Sequence, residues 1–515
     1  MTDPHAYLLE RLRASRDDRA LEFGERSWSY RDLDGLARRY AAGLESLGIG
    51  RGDRVAVFAE NAPEVIVALL GHWLLGAVHV PINPRYREEE AGHVLRDSGA
   101  AAVLVAGGSE CERVLDAVDP PPGALRRIVV GSVPAAPRRS PFEALVATGR
   151  RADAPRADAK DTAMLIYTSG TTGKSKGVEL TYANIVDNTL ALTGLWEFQA
   201  SDRVVVALPL FHVHGLCLGT FGSLLAGATV MLFERFEAAA VVEAFGSRGA
   251  TVFFGVPTMY VRLLEHLERS PGAAEPLRGA RLFIAGSAAL AADDFRAFEA
   301  RTGHAILERY GMSETLFTLT NPYRGERRPG TVGAPAPGCV VRLVDDAGHD
   351  VAEGEFGEII VKGNGVMKGY WGRPAETAAA FRDGWFLTGD VARRDADGYV
   401  TIAGRKSVDL IKSGGYKISA REIEDVLRRH PAVADVAVVG VPDRVWGQRI
   451  AAAVVPRAAM EEATASLVAE LSQFAARHLA EFKLPRTIRL VAELPRNALG
   501  KVQKHLLAAV FGAGA

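Results

Sequence analysis

The chain has 515 residues, enough for about three to four domain-sized units, and its 61 Lys and Arg nearly balance 62 Asp and Glu for a formal charge of −1. With 24% charged and 48% hydrophobic residues, the composition excludes wholesale disorder and a low-complexity scaffold. The neutral balance argues against broad nucleic-acid binding and points to a small-molecule partner.

Read from the N-terminus, Met1 to Ser15 carries Asp3 and Glu10 and has no apolar core, so no secretory signal is expected there. Arg54–Ala59 reads as a strand, followed by a helix from Pro63 and a strand at Ala77–Pro81. The apolar run Val65–Val80 is 16 residues long and interrupted by Gly71, His72 and Gly76. A membrane span needs about 20 apolar residues, so this run predicts a buried helix passing into a core strand, and no membrane partner is expected. Further β-rich runs fall at Ala101–Ala106, Met164–Tyr167, Arg203–Ala207, Thr229–Phe233, Val252–Val256 and Arg281–Ala285, with helical patterns between them. This alternation predicts an α/β protein whose large N-terminal domain has parallel sheets flanked by helices. Pro120–Pro122 and Ala135–Asp161 read as surface loops.

From about Val351 short strands are punctuated by Asp383-Gly384 and Asp397-Gly398 turns, predicting a small β-rich subdomain. Ser419 and Glu422 form a capping-box pattern opening a helix at Ala420–Arg429. A strand at Asp435–Val441, a helix around Leu467–Leu479 and a polar tail follow. The expected domains are 1–404 and a small, mobile α+β domain at 405–515, with a pivot at Gly404–Ser407. Cys111, Cys217 and Cys339 are far apart and form no CxxC pair, which fits a reducing compartment and makes the cytoplasm the expected location.

The most informative stretch is Ile166–Gly177, in which a strand runs into Thr168, Ser169, Gly170, Thr171, Thr172, Gly173, Lys174, Ser175, Lys176 and Gly177. Exposed backbone N–H groups, hydroxyls and two ammonium groups in one loop suit a polyphosphate. It is not a Walker P-loop, because Gly170 and Gly173 stand too close and Val178–Leu180 continues as extended chain. The other reading is a polar surface loop. Leu307–Thr315, with Glu308, Arg309, Tyr310, Gly311, Met312, Ser313 and Glu314, is either functional or a helix-capping turn. In Gly384–Asp390 the last residue either accepts from a ribose diol or closes an Asx-turn. Gly404-Arg405, Lys412-Ser413-Gly414-Gly415 and Leu494–Lys501 complete the set.

The order of these segments, from about Trp28 to Lys504, resembles the adenylate-forming superfamily of acyl-CoA synthetases, luciferases and peptide-synthetase adenylation domains. Phe211–Gly215, Gly286–Leu290, Glu308–Met312 and Ile411–Ile418 look most like malonyl-CoA synthetases. One departure follows Arg405: the superfamily's common Lys-Asp pair would fall at Ser407 and Val408, and Asp409 comes one residue later.

The resemblance implies two half-reactions, in which a carboxylate displaces pyrophosphate from Mg2+·ATP and coenzyme A thiol then displaces AMP. It assigns the Thr168–Lys176 loop to the phosphates, Glu314 to Mg2+ and Lys501 to the α-phosphate and carboxylate. Asp390 and Arg405 would meet the ribose, Tyr310 the adenine, and Ser287, Ala288 and Ala289 its other side, with Glu308, Gly311, Met312 and Ser313 in the same nucleotide site. His212 would lie near the reacting carboxylate or else be a satisfied core histidine; zinc held by His212, His214 and Cys217 is a weaker alternative. Rotation about Gly404–Ser407 would withdraw Lys501 and bring up Lys412, Ser413, Gly414 and Gly415 for coenzyme A.

Arg309 bears on the acid. A buried guanidinium needs an anion, and the distal carboxylate of malonate (or methylmalonate) supplies one, with His214 and Ser287 as further donors. The alternative is a salt bridge to Glu308 or another internal acid; Arg235 and Arg328 are reserve candidates. Competing readings are a short-chain monocarboxylate–CoA ligase, an adenylation domain serving a separate carrier (the chain ends 14 residues after Lys501), a luciferase-like oxygenase, and a catalytically silent nucleotide-binding protein. The sequence leaves the oligomeric state open.

Overall fold

A computed structural model of the chain describes residues 10, 17–118, 125–131, 136–147, 149–152, 157–168, 175–406, 410–413, 416–443, 445–457, 465–479, 481–496 and 502–511. The chain forms two compact units, 1–340 with 361–386, and 341–360 with 387–515.

The first unit is α/β, as the alternation predicts. Among its described residues one sheet runs, edge to edge, 334–335, 319–320, 307–310, 282–285, 252–255, 203–206, 229–232, 19–23 and 26–29. Its inner pairs are parallel from 307–310 across to 19–23. A second runs 369–370, 176–181, 162–168, 78–82, 54–58, 102–106, 126–130 and 139–141. Its centre is parallel, so each strand needs a crossover; the helix Pro63–Leu75 is one of these. That helix starts on Pro63 at its first turn and ends at Gly76 with φ 77°, a left-handed cap that glycine adopts without strain. It is buried on every side, as the unbroken apolar run requires, and leads into the buried strand Val78–Ile82.

The second unit contains the antiparallel ladder of Trp385–Arg394 with Val400–Arg405, in which Asp390 faces Arg405. Beyond it, Val433–Asp443 pairs antiparallel with Gly447–Pro456. The helix Ala420–Arg428 packs Ile423, Val426 and Leu427 into its core. Ser419 accepts from the Glu422 N–H at 3.4 Å, while the Glu422 carboxylate takes Lys483 Nζ at 2.6 Å.

Three segments depart from the sequence expectation. Within the supposed loop Ala135–Asp161, Arg139–Pro141 adds a parallel edge strand and Phe142–Ala147 forms a helix. Leu145 of that helix packs so closely on Gly43 that a Cβ there would lie 2.8 Å from it. The β-rich segment begins at Cys339 rather than near Val351. The polar tail supplies a strand, Thr487–Leu490, and a helix, Lys504–Val510; Leu507 and Phe511 are buried.

Candidate active site

In the first unit the strands Thr162–Thr168 and Lys176–Thr181 form an antiparallel hairpin, with Thr168 opposite Lys176 and Tyr167 opposite Gly177. The strand that follows Ser175 thus pairs back on the one that ends at Thr168, so a strand rather than a helix follows the polar segment. Ser169, Gly170, Thr171, Thr172, Gly173 and Lys174 lie outside the described residues. Its far end is anchored: a ring N–H at His93 Nε2 donates to the Ser175 carbonyl at 2.7 Å. Tyr167 donates to Asp97 at 2.8 Å, and Asp97 also holds Arg373 at 2.9 Å. Lys176 Nζ sits 4.1 Å from the centre of the Tyr370 ring.

Glu314 is buried, and its Oε1 accepts from the Tyr370 hydroxyl at 3.2 Å. The turn that presents it is tightly built. A Cβ on Gly311 would overlap the Leu316 carbonyl oxygen, and Leu316 itself is held at φ 54°. Asn188 clamps the following residue, donating to Phe317 O at 2.8 Å and accepting from Phe317 N at 3.1 Å. Met312 and Ser313 are half-buried in this turn. Left-handed φ at a leucine costs energy and clusters at functional sites.

On the adjoining strand Leu307–Tyr310 successive side chains point to opposite faces. Glu308 turns to one side and accepts from Gly330 N at 3.0 Å. Arg309 turns to the other, is buried, and lies against Gly286, where a Cβ would stand 2.5 Å from its Nε. Arg309 Nε and Nη2 have no hydrogen-bond partner, and among the described residues no acid pairs with it. Burial pushes the guanidinium down to about 9, so it remains charged at neutral pH. The reserve arginines are otherwise engaged, Arg235 with Glu237 at 2.8 Å and Arg328 with Glu326 at 2.9 Å.

Ser287, Ala288 and Ala289 are exposed after the strand Leu282–Ala285. Ser287 has φ 68°, and its Oγ lies 3.0 Å from His214 Nδ1. His214 Nε2 and His212 Nε2 are both enclosed without partners. Burial first, then the charges of Arg309 and His212, hold His214 well below the usual imidazole range; burial takes His212 down to about 4. Both rings are neutral at pH 7. The segment before them is pinned by Asn61, which donates to Leu208 O at 2.9 Å and accepts from Leu210 N at 2.9 Å. His214 opens a π-helix, His214–Phe221, a wide turn found mostly at functional sites.

In the second unit Asp390 is buried and pairs with Arg405 Nε at 3.0 Å. Arg405 Nη1 donates to Thr388 O at 2.6 Å. Burial works against the Lys406 ammonium, yet Asp346 and Glu358, at 2.8 and 2.9 Å, lift it above its ordinary value. Lys412 stands opposite Lys417 in a backbone ladder, and Ser413 is buried. Ser407, Gly414, Gly415 and Lys501 lie outside the described residues.

Among the described residues no three His, Cys, Asp or Glu side chains converge as a metal cluster. Cys217 is a buried thiol pushed up to about 12 by burial, which does not suit a zinc thiolate. The Glu314 carboxylate is a hard oxygen donor of the kind Mg2+ takes alongside substrate phosphates. Among the described residues no helix is long and apolar enough to cross a membrane. A separate cavity of about 480 Å3 is lined by Arg19, Glu22, Arg26, Arg203 and Arg248; none of the expected site residues borders it, and three of its arginines are tied to Glu22 at 2.6–3.0 Å.

The strand hairpin on either side of the polar segment, the clamped turn that presents Glu314 and the buried Arg309 stand on the fold of an adenylate-forming enzyme. The AMP-binding enzyme family matches residues 8–371, and the AMP-binding enzyme C-terminal domain matches 422–501. The chain belongs to this family and is an AMP-forming acid–thiol ligase that uses ATP and coenzyme A. It is 35% identical to the mitochondrial malonate–CoA ligase ACSF3 of Homo sapiens, over 95% of this chain and 90% of that one. It is 36% identical to a feruloyl-CoA synthase of Amycolatopsis sp, over 98% of both chains. The ATP-bound MatB of Rhodopseudomonas palustris superposes with a TM-score of 0.89 at 36% identity, covering 99% of this chain and 98% of that one.

The sequence analysis did not find His93, Asn61, Asn188 or Tyr370. Each acts on a site segment distant in sequence, and no local motif marks it; for His93 the only cue is a helical histidine of ordinary kind.

Proposed function

We propose that the enzyme joins malonate to coenzyme A through malonyl-adenylate, releasing AMP and pyrophosphate. The observation that carries this reading is Arg309, a buried guanidinium with two unpartnered donor atoms and, among the described residues, no internal acid. A buried cation without a partner is costly, and a short dicarboxylic acid offers a second carboxylate where those donors lie. His214 Nε2 or Ser287 Oγ adds one neutral donor beside it, since the hydrogen bond between the two uses the proton of the other. A monocarboxylate would leave the guanidinium unpaired, which disfavours the short-chain monocarboxylate reading. The two relatives differ in acid at nearly equal identity, so overall likeness does not decide the substrate.

In the proposed first step one malonate carboxylate oxygen attacks the α-phosphorus of ATP and the bond to pyrophosphate breaks. Two anions meet, so neutralisation governs the rate. Lys174, Lys176 and the Thr168–Gly173 donors serve the β- and γ-phosphates, and Lys501 spans the α-phosphate and the attacking carboxylate. Glu314 would hold Mg2+, which when bound neutralises phosphate charge. His212, neutral, borders the reacting carboxylate. Asp390 and Arg405 hold the ribose; Tyr310, Ser287, Ala288 and Ala289 flank the adenine, with Glu308, Gly311, Met312 and Ser313 shaping the turn. In the second step the coenzyme A thiolate attacks the acyl carbonyl and AMP leaves. Rotation about Gly404–Ser407 exchanges Lys501 for Lys412, Ser413, Gly414 and Gly415. Three free cysteines support the cytoplasm as the compartment.

The test is ATP–pyrophosphate exchange and thioester formation with malonate, methylmalonate, acetate, butyrate and ferulate. Malonate is expected to lead, with methylmalonate within about 1–3 kcal/mol, the range one methyl spans. A preference for acetate, butyrate or ferulate would overturn the assignment of the acid.

A further inference from the structure

We infer that Tyr370 is a positioning residue for the nucleotide's phosphate end, setting the Glu314 carboxylate with its hydroxyl and the Lys176 ammonium with its ring. The inference rests on the ligase reading above. Glu314 and Lys176 stand 138 residues apart in the chain, and 56 and 194 residues from Tyr370, so local sequence does not fix their spacing. Tyr370 Oη lies 3.2 Å from Glu314 Oε1, and Lys176 Nζ lies 4.1 Å from its ring centre.

The backbone makes this placement rigid. Tyr370 stands opposite Val178 in an antiparallel pair that continues the strand Lys176–Thr181. Trp371 N donates to Gly177 O at 2.8 Å, on the chain leaving the phosphate loop. Met367 N donates to Glu314 O at 2.8 Å, so the same short segment grips the glutamate by its main chain and its side chain. Tyr370 N donates to Thr377 Oγ1 at 2.9 Å, which fixes the main chain that carries the ring.

The chemistry explains why an aromatic alcohol serves here. A second cation beside Glu314 would neutralise the carboxylate and compete with Mg2+ for it. A phenol donates one neutral hydrogen bond, orienting the carboxylate without removing its charge. The ring face meanwhile attracts the ammonium through its quadrupole, keeping Lys176 close by without an ion pair that would sequester it from phosphate.

The test separates the two halves of the side chain in the full-length enzyme. Tyr370→Phe removes the hydroxyl and keeps the ring; Tyr370→Leu removes both. Calorimetry measures binding of α,β-methylene-ATP with and without Mg2+, and urea unfolding checks that each variant is folded. For Tyr370→Phe the Mg2+ needed for half-maximal binding rises about tenfold, the value of one hydrogen bond to a charged group, and binding without Mg2+ is unchanged. Tyr370→Leu shows the same Mg2+ shift and also binds the metal-free nucleotide about three- to tenfold more weakly, as loss of a cation–π contact requires. If Tyr370→Leu fails to fold, the Mg2+ shift in Tyr370→Phe decides alone. A Phe variant with the wild-type Mg2+ requirement overturns the role of the hydroxyl and with it the proposal. Wild-type enzyme that does not bind the nucleotide at all would overturn the ligase reading as well.

Discussion

Replacing Arg309 by Met tests the acid assignment most directly, because it removes the charge and keeps most of the volume. Burial takes the guanidinium from its ordinary range down to about 9, a drop equivalent to about 5 kcal/mol against the charged form. That is the upper bound on what the empty site loses by keeping a cation there. An apolar residue of similar volume removes the desolvation cost of a buried, unpartnered charge, so the substrate-free variant should unfold at higher urea concentration than wild type. Activity should move the other way. Two donor atoms, Nε and Nη2, await partners, and hydrogen bonds to a charged group contribute about 1.5–3 kcal/mol each. Arg309→Met should therefore lower kcat/KM for malonate by about 3–6 kcal/mol, roughly two to four powers of ten. The KM for ATP and the much smaller turnover of acetate should hold nearly constant. Steady-state kinetics with malonate and acetate, paired with urea melts, reads all of this. Malonate turnover within about threefold of wild type, or an equal loss with both acids, would refute the reasoning.

Gly286→Ala should act on the same arginine from outside, since the added Cβ would stand 2.5 Å from Nε and 2.7 Å from Cζ; malonate kcat/KM should fall by about 1–3 kcal/mol, the usual cost of overpacking, with the KM for ATP unchanged. His93→Ala removes the donor to the Ser175 carbonyl, and the KM for ATP should rise about three- to tenfold, the range of one ordinary hydrogen bond, with the KM for malonate constant. Stability should fall on acidification. His79 is taken down to about 3 by burial, and burial with the neighbouring charge of His79 holds His72 well below its usual range; the pair meets Nδ1 to Nδ1 at 3.0 Å, with Tyr40 3.3 Å from the far side of His72. Because the folded values lie below the unfolded one near 6.5, their contribution is intact above that pH and drains away as protons bind the unfolded chain, about 2 kcal/mol per histidine between pH 7 and pH 5. Urea melts across that window should show a shallower pH dependence for His79→Asn; an identical slope would count against the buried pair.

The legible parts of the site are those in which one local segment carries both geometry and chemistry. The strand and loop from Ile166 were legible, as was the extended chain that resumes at Val178 where a Walker loop would become helical; the pairing of the two strands as a hairpin came from the structure. Arg309 was legible as a charged residue inside a motif that the resemblance assigns to the site; that strand alternation sends it and Glu308 to opposite faces came from the structure. The π-helix at His214–Phe221 was not, because widening each turn by one residue changes hydrogen bonding without leaving a repeat in so short a stretch. Phe142–Ala147 was hidden for a related reason: six residues give under two turns, too few for a 3.6-residue period to show among the surrounding Pro and Arg. Asn188 and Tyr370 were invisible because their meaning lies in partners 129 and 56 residues away.

The two ends of the proposed site differ in how they are held, and the difference bears on selectivity. Around Glu314 and Lys176 the described contacts are filled by Tyr370, Asn188 and main-chain bonds, so that end is set before a nucleotide arrives. Around Arg309 the structure keeps unpartnered buried nitrogens on three side chains, a left-handed Ser287 and a π-turn. Unsatisfied buried donors discriminate more sharply than a fitted apolar wall, because a ligand lacking the matching group leaves their desolvation uncompensated. An acid pocket lined by Gly286 and small residues alone would admit acetate and malonate with little preference. With Arg309 in it, as proposed, acetate would meet a bare guanidinium and malonate would meet a partner, so the proposed acid end would select through what it leaves unpaired.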